Sequence, residues 1–292
     1  MRHLTACVLI LAAAALCFQA SAGVALTYKM AKGDVLRYQC DTTGDGTINA
    51  LGRTGPVHMD AHFVYVMACT AVDEAGFMTI SHRLENVETE ASWSGQDIPV
   101  SLNIPEIITV MSPGGTLLST RVIRPEAPEP TAEGGLMGAL GGALAGGSQL
   151  DVGQFFGELH GPGFPVEAVE PGKRWQETLK LKTQSGQLMP VTYTTTFLDY
   201  AKLTGVNCAR LKTDYEMPLD LGLIAGPLFN LRGTQRGSQI SYFDYEGGKV
   251  MRFDGISDTQ VVMETPQLFG SAAGNQSSVS MTMRSNTTVV LK

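Results

Sequence analysis

The sequence predicts a mostly β protein, built from antiparallel meanders in two similar halves that form an open half-barrel or a sandwich. Three observations support this fold class. Apolar and polar residues alternate with a period of two in many segments, such as VLRYQCD and RWQETLKLK. Glycine-containing turns separate these segments. The landmark glycines of the first half recur in the same order in the second half.

The first 22 residues have the layout of a cleaved secretory signal. A basic start is followed by an apolar run from about Ala6 to Phe18 and by the small residues Ala20, Ser21 and Ala22. The run is too short to cross a bilayer, which takes about 20 residues. We expect residues 1–22 to be removed, no transmembrane span, and a periplasmic or extracellular location.

The first half, residues 23–124, is predicted to form successive strands. VLRYQCD places Leu36, Tyr38 and Cys40 on one face. HFVYVMACTAV is apolar on both faces and predicts a central strand, and FMTISHRLENVE alternates again. ITVM, the turn SPGGT and LLSTRVI together predict a hairpin.

A joint of different composition, residues 125–159, separates the halves. Its Pro- and Glu-rich start predicts an extended linker. Its Gly/Ala-rich part is compatible with a loop, with a short helix on the protein's own core, or with membrane or self-association. LDVGQFFGELHG then predicts one short helix. Four glycines of the joint recur at every fourth position: Gly134, Gly138, Gly142 and Gly146.

The second half, residues 160–292, repeats the order of the first. RWQETLKLK, VTYTTTFLDY and VNCARLKTDYEM predict strands, SQISYFDY and VMRF predict a hairpin, and DTQVVMET and SVSMTMRSNTTVVLK predict two long strands. Three landmarks correspond between the halves and indicate a duplicated meander: Gly33 with Gly172, Gly76 with Gly205, and Gly114-Gly115 with Gly247-Gly248.

The charge and the cysteines exclude several classes of protein. The chain has 21 basic and 28 acidic residues, and removal of the signal removes one arginine, so the mature charge is 20 − 28 = −8. Such a balance argues against nucleic acid or an anionic membrane as a partner. Cys40, Cys69 and Cys208 remain after signal removal, which allows one disulfide at most and matches no zinc spacing.

The stretch CDTTGDGTI, residues 40–48, resembles a calcium loop. Asp41, Asp45 and Gly46 stand where the EF-hand pattern has two acids and its turn glycine. The twelfth position, counted from Asp41, is Gly52 instead of the bidentate glutamate that the loop requires. We therefore predict that both acids lie on the solvent face of a strand, bent by Gly44 and Gly46.

His58, Asp60 and His62 share one face of a predicted strand. Adjacent members, about 6.6 Å apart along the strand, are close enough to chelate one metal. The outer pair, about 13 Å apart, could share a metal only if the strand contained a bulge. A polar outward face and a metal site both remain open, and a metal-dependent hydrolase is the remotest reading. His82 alternates with apolar neighbours and is expected to be a hydrogen-bonded interior histidine.

No recognised catalytic motif accompanies these residues. The sequence lacks G-x-S-x-G, HExxH, a Walker loop and a dinucleotide GxGxxG after a strand. Asp244, Glu246, Asp254 and Asp258 cluster near one hairpin, where acids typically protect exposed strands from pairing. We expect no enzymatic activity and no cofactor.

Methionine is common in and beside the predicted strands. Because its side chain is flexible and polarizable, it either fills the core or lines an adaptable apolar cavity. The candidates for lining such a cavity are Met67, Met78, Met251, Met263 and Met281.

Several phrases resemble uncharacterised families of exported bacterial β-rich proteins: FPVEAVEPGKRWQETLKL, VTYTTTFLDYAKLTGVNCARLKTDYEM and YFDYEGGKVMRFDGISD. The shared pattern is P-x-x-x-V-x-x-G-x-x-W followed by YFDY-x-GGK, and it contains turn and core positions without catalytic residues. The architecture is also loosely similar to the lipoprotein-carrier families of the cell envelope (LolA/LppX-like). That resemblance implies an open antiparallel barrel closed over an apolar cavity by helices, although few helices are predicted here.

These observations predict an exported, non-enzymatic protein of the cell envelope that binds an apolar ligand, a lipid or an envelope protein. The alternative is a structural or assembly protein of the envelope without a ligand. An apolar cavity between the sheet and the joint would favour the first reading, and a solid core would favour the second.

Overall fold

The structure, a computed structural model, describes residues 23–50, 53–98, 106–123, 163–182, 188–220, 230–264 and 278–292. Within these ranges the chain forms β-strands and no helix. The predicted signal, the glycine-rich joint and the predicted short helix lie outside the described residues, so those predictions remain open.

The described residues form twelve strands, numbered in chain order. The first half contains β1 (Val35–Ala50), β2 (Arg53–Val72), β3 (Met78–Trp93), β4 (Gln96–Asp97), β5 (Glu106–Met111) and β6 (Leu117–Ile123). The second half contains β7 (Arg174–Lys182), β8 (Leu188–Leu203), β9 (Val206–Asp220), β10 (Asn230–Asp244), β11 (Lys249–Glu264) and β12 (Ser278–Leu291).

All twelve strands belong to one antiparallel sheet, ordered β6-β5-β3-β2-β1-β12-β11-β10-β9-β8-β7, with the short β4 paired to β3. Each half is a meander, and the two meanders meet where β1 pairs with β12. The described strands do not close into a barrel. The predicted mostly β class is therefore confirmed, and the sandwich alternative is wrong because the halves join edge to edge in one sheet.

The two faces of the sheet differ as the sequence periodicity predicts. On β1, Tyr38, Cys40 and Ile48 are buried on what we call the inner face, while the intervening residues are more exposed on the outer face. β2 lies between β1 and β3, and its Tyr65 and Val66 are buried on opposite faces. The prediction of a central strand from HFVYVMACTAV is therefore confirmed.

The described part of the inner face carries two apolar clusters. One includes Tyr65, Phe197 and Phe243, and the other includes Ile48 and Tyr193. Between the clusters runs a row of seven positions, four of them threonines, which the register places side by side on consecutive strands; its last member, Ala61, also belongs to the first cluster. From β8 to β2 this hydroxyl row is Thr195, Thr213, Gln239, Gly255, Thr287, Thr42 and Ala61.

The entry into each half has the same backbone hydrogen bonds. The amide of Gly33 donates to the carbonyl of Cys69 at 2.8 Å, and the amide of Gly172 donates to the carbonyl of Phe197 at 2.7 Å. Both glycines have positive φ, 97° and 90°, which a residue with a side chain adopts at a cost. The glycines aligned by sequence therefore occupy matching turns.

The β-bulges also recur at matching places. The β2–β3 register shifts between Cys69 and Ala71, and the β8–β9 register shifts between Phe197 and Asp199. Further along, the β5–β6 register shifts at Met111 and the β10–β11 register at Phe243. Bulges change the local twist of a sheet, so both halves bend at corresponding points.

Two other glycines allow neighbouring strands to come close. A Cβ atom on Gly46 would overlap the carbonyl oxygen of Thr282, and one on Gly233 would overlap the carbonyl oxygen of Gln260. β1 keeps its register with β2 and β12 throughout, so the bulge expected at Gly44 and Gly46 is absent. At Gly46 glycine serves backbone approach instead.

Candidate functional site

One end of the inner face is crossed by residues 23–30, which we call the strap. Its amide and carbonyl at Val24 bond reciprocally with those of Val169, both at 2.9 Å. Further along, the amide of Tyr28 donates to Pro113 at 2.7 Å and the amide of Lys29 donates to Gly248 at 3.0 Å. Pro113 and Gly248 lie in the two hairpin turns that correspond between the halves. The strap therefore joins both halves at this end.

The two edges of the sheet are tied together at the same end. The amide of Phe164 donates to the carbonyl of Gly114 in the β5–β6 turn at 2.6 Å. The indole of Trp175 on β7 donates to the carbonyl of Gly163 at 3.0 Å, and Glu177 on β7 accepts from the amide of Gly163. Edge strands that would otherwise stand apart are thus linked through Gly163 and Phe164. We call this end of the sheet the capped end.

Three aromatic rings pack beneath the strap. The ring of Tyr28 stacks on Phe164 at 5.0 Å between centroids and meets Phe243 edge-on at 5.3 Å, while Phe164 and Phe243 are 4.7 Å apart. These distances lie in the favourable range for aromatic pairs. Burial strongly raises the pKa of the Tyr28 hydroxyl, so this ring stays neutral.

A small cavity of about 20 Å³ lies under the strap. Its walls are apolar and flexible, because methionines and aromatic rings supply most of them. Since about 10–15 Å³ is enough for one water molecule, the cavity in this state has room for little more than one. The lining residues are Tyr28, Met30, Leu36, Tyr38, Tyr65, Met67, Met111, Gly248, Lys249, Val250, Phe253 and Val289.

The five methionines proposed as ligand-lining residues have separate locations. Met67 lines the cavity, whereas Met78 is buried in the same cluster without reaching it. Met251 is partly buried where the β10–β11 register shifts, and Met281 packs against the other cluster. The side chain of Met263 lies outside the described residues. Sequence reasoning missed two lining methionines: Met30, which belongs to the strap, and Met111, which directly precedes the β5–β6 turn that the strap contacts.

His82 is a buried residue with polar partners on two other strands. Its Nδ1 lies 2.7 Å from the hydroxyl of Tyr65, and its Nε2 lies 2.7 Å from Oγ1 of Thr109. The prediction of a hydrogen-bonded interior histidine is confirmed.

The acids of CDTTGDGTI pair with the histidines predicted on the next strand. Nδ1 of His62 donates to Asp41 at 2.8 Å, and Nδ1 of His58 donates to Asp45 at 2.7 Å. Each pair is directly opposed in the β1–β2 register. Nε2 of His58 donates to Asp60 at 2.9 Å, so its ring contacts carboxylates through both nitrogens. Both acids of the calcium-like stretch thus lie on the outer face, as predicted.

This arrangement favours the protonated form of both rings. Only an imidazolium can donate from both ring nitrogens. Hydrogen bonding to Asp45, followed by that to Asp60, raises the pKa of His58, and hydrogen bonding to Asp41 raises the pKa of His62. The three candidates His58, Asp60 and His62 do not converge on one point. Across the described ranges no group of three His, Cys, Asp or Glu side chains has the geometry to hold a metal ion.

The acids near the β10–β11 hairpin also have separate partners. Asp244 accepts from the turn amides of Glu246 and Gly247 at 3.1 and 2.7 Å. Asp254 accepts from Arg252 at 2.8 and 2.7 Å. These carboxylates stabilise a turn and a strand surface and do not form a carboxylate pair with each other.

The three cysteines of the described chain are buried free thiols. Burial raises the pKa of Cys40 to about 12 and also raises that of Cys69 and Cys208. Thiolates are the reactive form of cysteine, so these side chains act as small apolar core residues.

No family model and no curated protein matches this sequence. Similar solved structures include lipovitellin, described for its lipid–protein interactions, with 11% identity and a TM-score of 0.43. That alignment covers 90% of this chain and 25% of lipovitellin, so this chain spans about a quarter of that protein.

Two bacterial structures are also similar. A COG4313 outer membrane channel from Pseudomonas putida F1 has 8% identity and a TM-score of 0.27, over 91% of this chain and 98% of that one. A DUF1329 family protein from Desulfovibrio piger has 9% identity and a TM-score of 0.19, over 89% and 84%. Scores of this size do not define a shared fold. The described residues contain no helix of the length and apolarity that a membrane span needs.

Proposed function

We propose that the protein is an exported, non-enzymatic component of the cell envelope that binds an apolar ligand at the capped end of its sheet. The observation that carries this proposal is the cavity under the strap, which Met30, Met67 and Met111 line together with aromatic rings. Methionine side chains repack at low cost. A cavity of about 20 Å³ can therefore enlarge around a ligand when the strap shifts.

The hydroxyl row predicts a second property of the ligand. Phe253 and Val289 line the cavity, and Gly255 and Thr287 of the hydroxyl row lie two residues further along the same strands. Two residues correspond to about 6.6 Å. A ligand that fills the cavity and extends past its wall would meet the uncharged hydroxyl groups of Thr287 and of Thr42, its partner on β1. An apolar molecule with one neutral polar group, such as an ester or an alcohol, fits an apolar cavity followed by hydroxyl groups.

The test uses an uncharged fluorescent probe, N-phenyl-1-naphthylamine, and two matched variants on β12. Val289 lines the cavity, whereas Val279 is buried in the other cluster ten residues away on the same strand. We expect saturable probe binding by the wild type. Val289→Phe should weaken binding at least about tenfold, or about 1.4 kcal/mol, because the ring fills the cavity. Val279→Phe should leave it unchanged.

A second candidate function is a structural or assembly protein of the envelope with no ligand. The small volume of the cavity favours it, since about 20 Å³ is close to the space of one water molecule. Two results together would overturn the ligand proposal in favour of this one. The protein would show no saturable probe binding, and solvent extraction of natively purified protein would release no lipid. Export is tested separately by N-terminal sequencing of envelope fractions, which should begin at Gly23.

A further inference from the structure

The outer face of the sheet carries a row of alternating charge that crosses six strands. The register places an acid and a base beside each other at every step from β9 to β2. We call this set the charge row. Its members, in spatial order, are Glu216, Arg236, Asp258, Arg284, Asp45 and His58.

The ends of the charge row are satisfied within the chain, but its middle is not. Arg236 pairs with Glu216 at 2.9 Å, and His58 pairs with Asp45 at 2.7 Å. Arg284 stands between Asp258 and Asp45 in the register, yet no described residue forms an ion pair with it. The central guanidinium and the central carboxylate of Asp258 are therefore left facing outward.

A polar groove of about 480 Å³ lies at this unsatisfied centre. Asp45, Arg236, Asp258 and Arg284 all line it, together with the neutral side chains of Thr234, Gln260 and Thr282. Gly46 on β1 also lines the groove, and there the absence of a side chain lets the backbone of β12 approach. The groove is on the opposite face of the sheet from the apolar cavity.

The four central charges read base, acid, base, acid from β10 to β1. Read in the reverse direction, the same four read acid, base, acid, base. A two-fold axis parallel to the strands, between β11 and β12, would therefore place Asp258 opposite Arg284 of a second copy, and Arg236 opposite its Asp45. Such self-complementarity is what an isologous dimer requires. We propose that this outer face binds a second copy of the same chain, with the charge row aligning the two sheets.

Apolar contact is available beside these charges. Ile256 and Val262, on the same outer face of β11, are 43% and 45% exposed. Exposed ion pairs alone contribute little to affinity, so these two side chains supply burial while the charges set the alignment. The four strands β10, β11, β12 and β1 are at least 14 residues long. At about 4.8 Å between strands and 3.3 Å per residue they offer roughly 900 Å², close to the ~800 Å² per partner of a stable interface.

The test is a pair of charge reversals, Asp258→Arg and Arg284→Asp, analysed by sedimentation equilibrium. We expect the wild type to dimerise and each single variant to dimerise at least about tenfold more weakly, because like charges then meet at the centre. An equimolar mixture of the two variants should recover dimerisation as a heterodimer, since the arginine introduced in one chain would meet the aspartate introduced in the other. Higher ionic strength should weaken the wild-type dimer.

Glu74→Arg, a reversal in the exposed β2–β3 turn, is the matched control and should leave dimerisation unchanged. The neutral variants Asp258→Asn and Arg284→Gln replace the reversals if circular dichroism shows that either reversal fails to fold, and both should weaken the dimer. A monomeric wild type, dimerisation unaffected by either substitution, or a mixture of reversals that stays monomeric would each overturn the proposal. A monomer that binds a small polar molecule in the groove would assign the groove to a ligand instead.

Discussion

The hydroxyl of Tyr65 on β2 lies 2.7 Å from Nδ1 of His82 on β3, inside the apolar cluster of the capped end. On its other side, His82 reaches Oγ1 of Thr109 on β5 at the same distance. Three neighbouring strands are thus connected by polar side chains in an apolar surrounding, where such contacts are strong and costly to lose. The network fixes the position of β5, a strand of only six residues next to the edge of the sheet.

Tyr65→Phe tests this network because it removes only the hydroxyl. Loss of one hydrogen bond to a buried partner should lower the free energy of unfolding by about 1–3 kcal/mol, measured by urea denaturation. Tyr200→Phe is the control, since Tyr200 is 41% exposed, and should change stability by less than about 0.5 kcal/mol. Equal effects of the two substitutions would contradict a structural role for the Tyr65–His82 contact.

Substitutions of two turn glycines should separate backbone strain from a clash with the strap. Gly33 and Gly115 both have positive φ, 97° and 88°. A Cβ on Gly33 would meet nothing within 4 Å, whereas one on Gly115 would lie 2.5 Å from Cε2 of Tyr28. Gly33→Ala should cost about 1–2 kcal/mol from backbone strain. Gly115→Ala should cost about 1–3 kcal/mol more, because the Tyr28 ring must move. Thermal denaturation of both variants measures the difference, and equal melting temperatures would show that the strap does not hold Tyr28 there.

Two inner-face glycines on adjacent strands should respond in opposite directions. A Cβ on Gly237 would overlap the ring of Tyr215, while the nearest atom to a Cβ on Gly255 is 3.6 Å away. Gly237→Ala should therefore be destabilising by about 1–3 kcal/mol. Gly255→Ala should be neutral or stabilising by up to about 1 kcal/mol, because alanine restricts the unfolded chain. Urea denaturation gives both values, and a destabilised Gly255→Ala would mean that the space beside Gly255 is occupied.

The histidines of the outer face should make stability depend on pH. Their carboxylate partners raise the pKa of His58 and of His62 above the unfolded value of about 6.5. A raised folded pKa gives a stabilisation that is fully present below about pH 6.5 and is lost as pH rises through the folded pKa. The double variant His58→Gln/His62→Gln should thus be less stable than the wild type near pH 6 and match it within about 0.5 kcal/mol near pH 9.

Urea denaturation across this pH range checks the expectation, and proton resonances of the imidazole rings give the pKa of each site. A difference between variant and wild type that grows with pH would contradict the assigned ion pairs. Zinc bound one-to-one to the native protein and lost in the double variant would instead revive the metal reading of His58, Asp60 and His62.

The local features of this fold could be predicted from the sequence because they depend on near neighbours. Alternation placed Tyr38 and Cys40 on the inner face, and the corresponding glycines Gly33 and Gly172 occupy matching turns. The contact of Asp41 with His62 could not be foreseen, because it depends on which residues oppose each other in the register. A change of one residue in register would have put these side chains on opposite faces.

The candidate site was harder to predict for a related reason. Met67 was identified by residue type, but residue type alone does not separate it from Met78, which is buried beside the cavity without lining it. The path of the strap decides which residues line the cavity. Backbone hydrogen bonds to turns that are distant in sequence bring Tyr28 of the strap to the cavity. No short-range pattern in the strap itself encodes those partners.

The pairing of β1 with β12 has a consequence for how the chain folds. Thr42 and Thr287, whose hydroxyls are 3.1 Å apart, are separated by 245 residues in sequence. The two meanders form from contacts between near neighbours, but the seam between them forms only after a very long loop has closed. Contacts at such separation slow folding, to milliseconds or longer even in much smaller β domains. While the seam is open, β1 and β12 are both unpaired edges, and a chaperone that shields them in that interval would suppress aggregation most effectively.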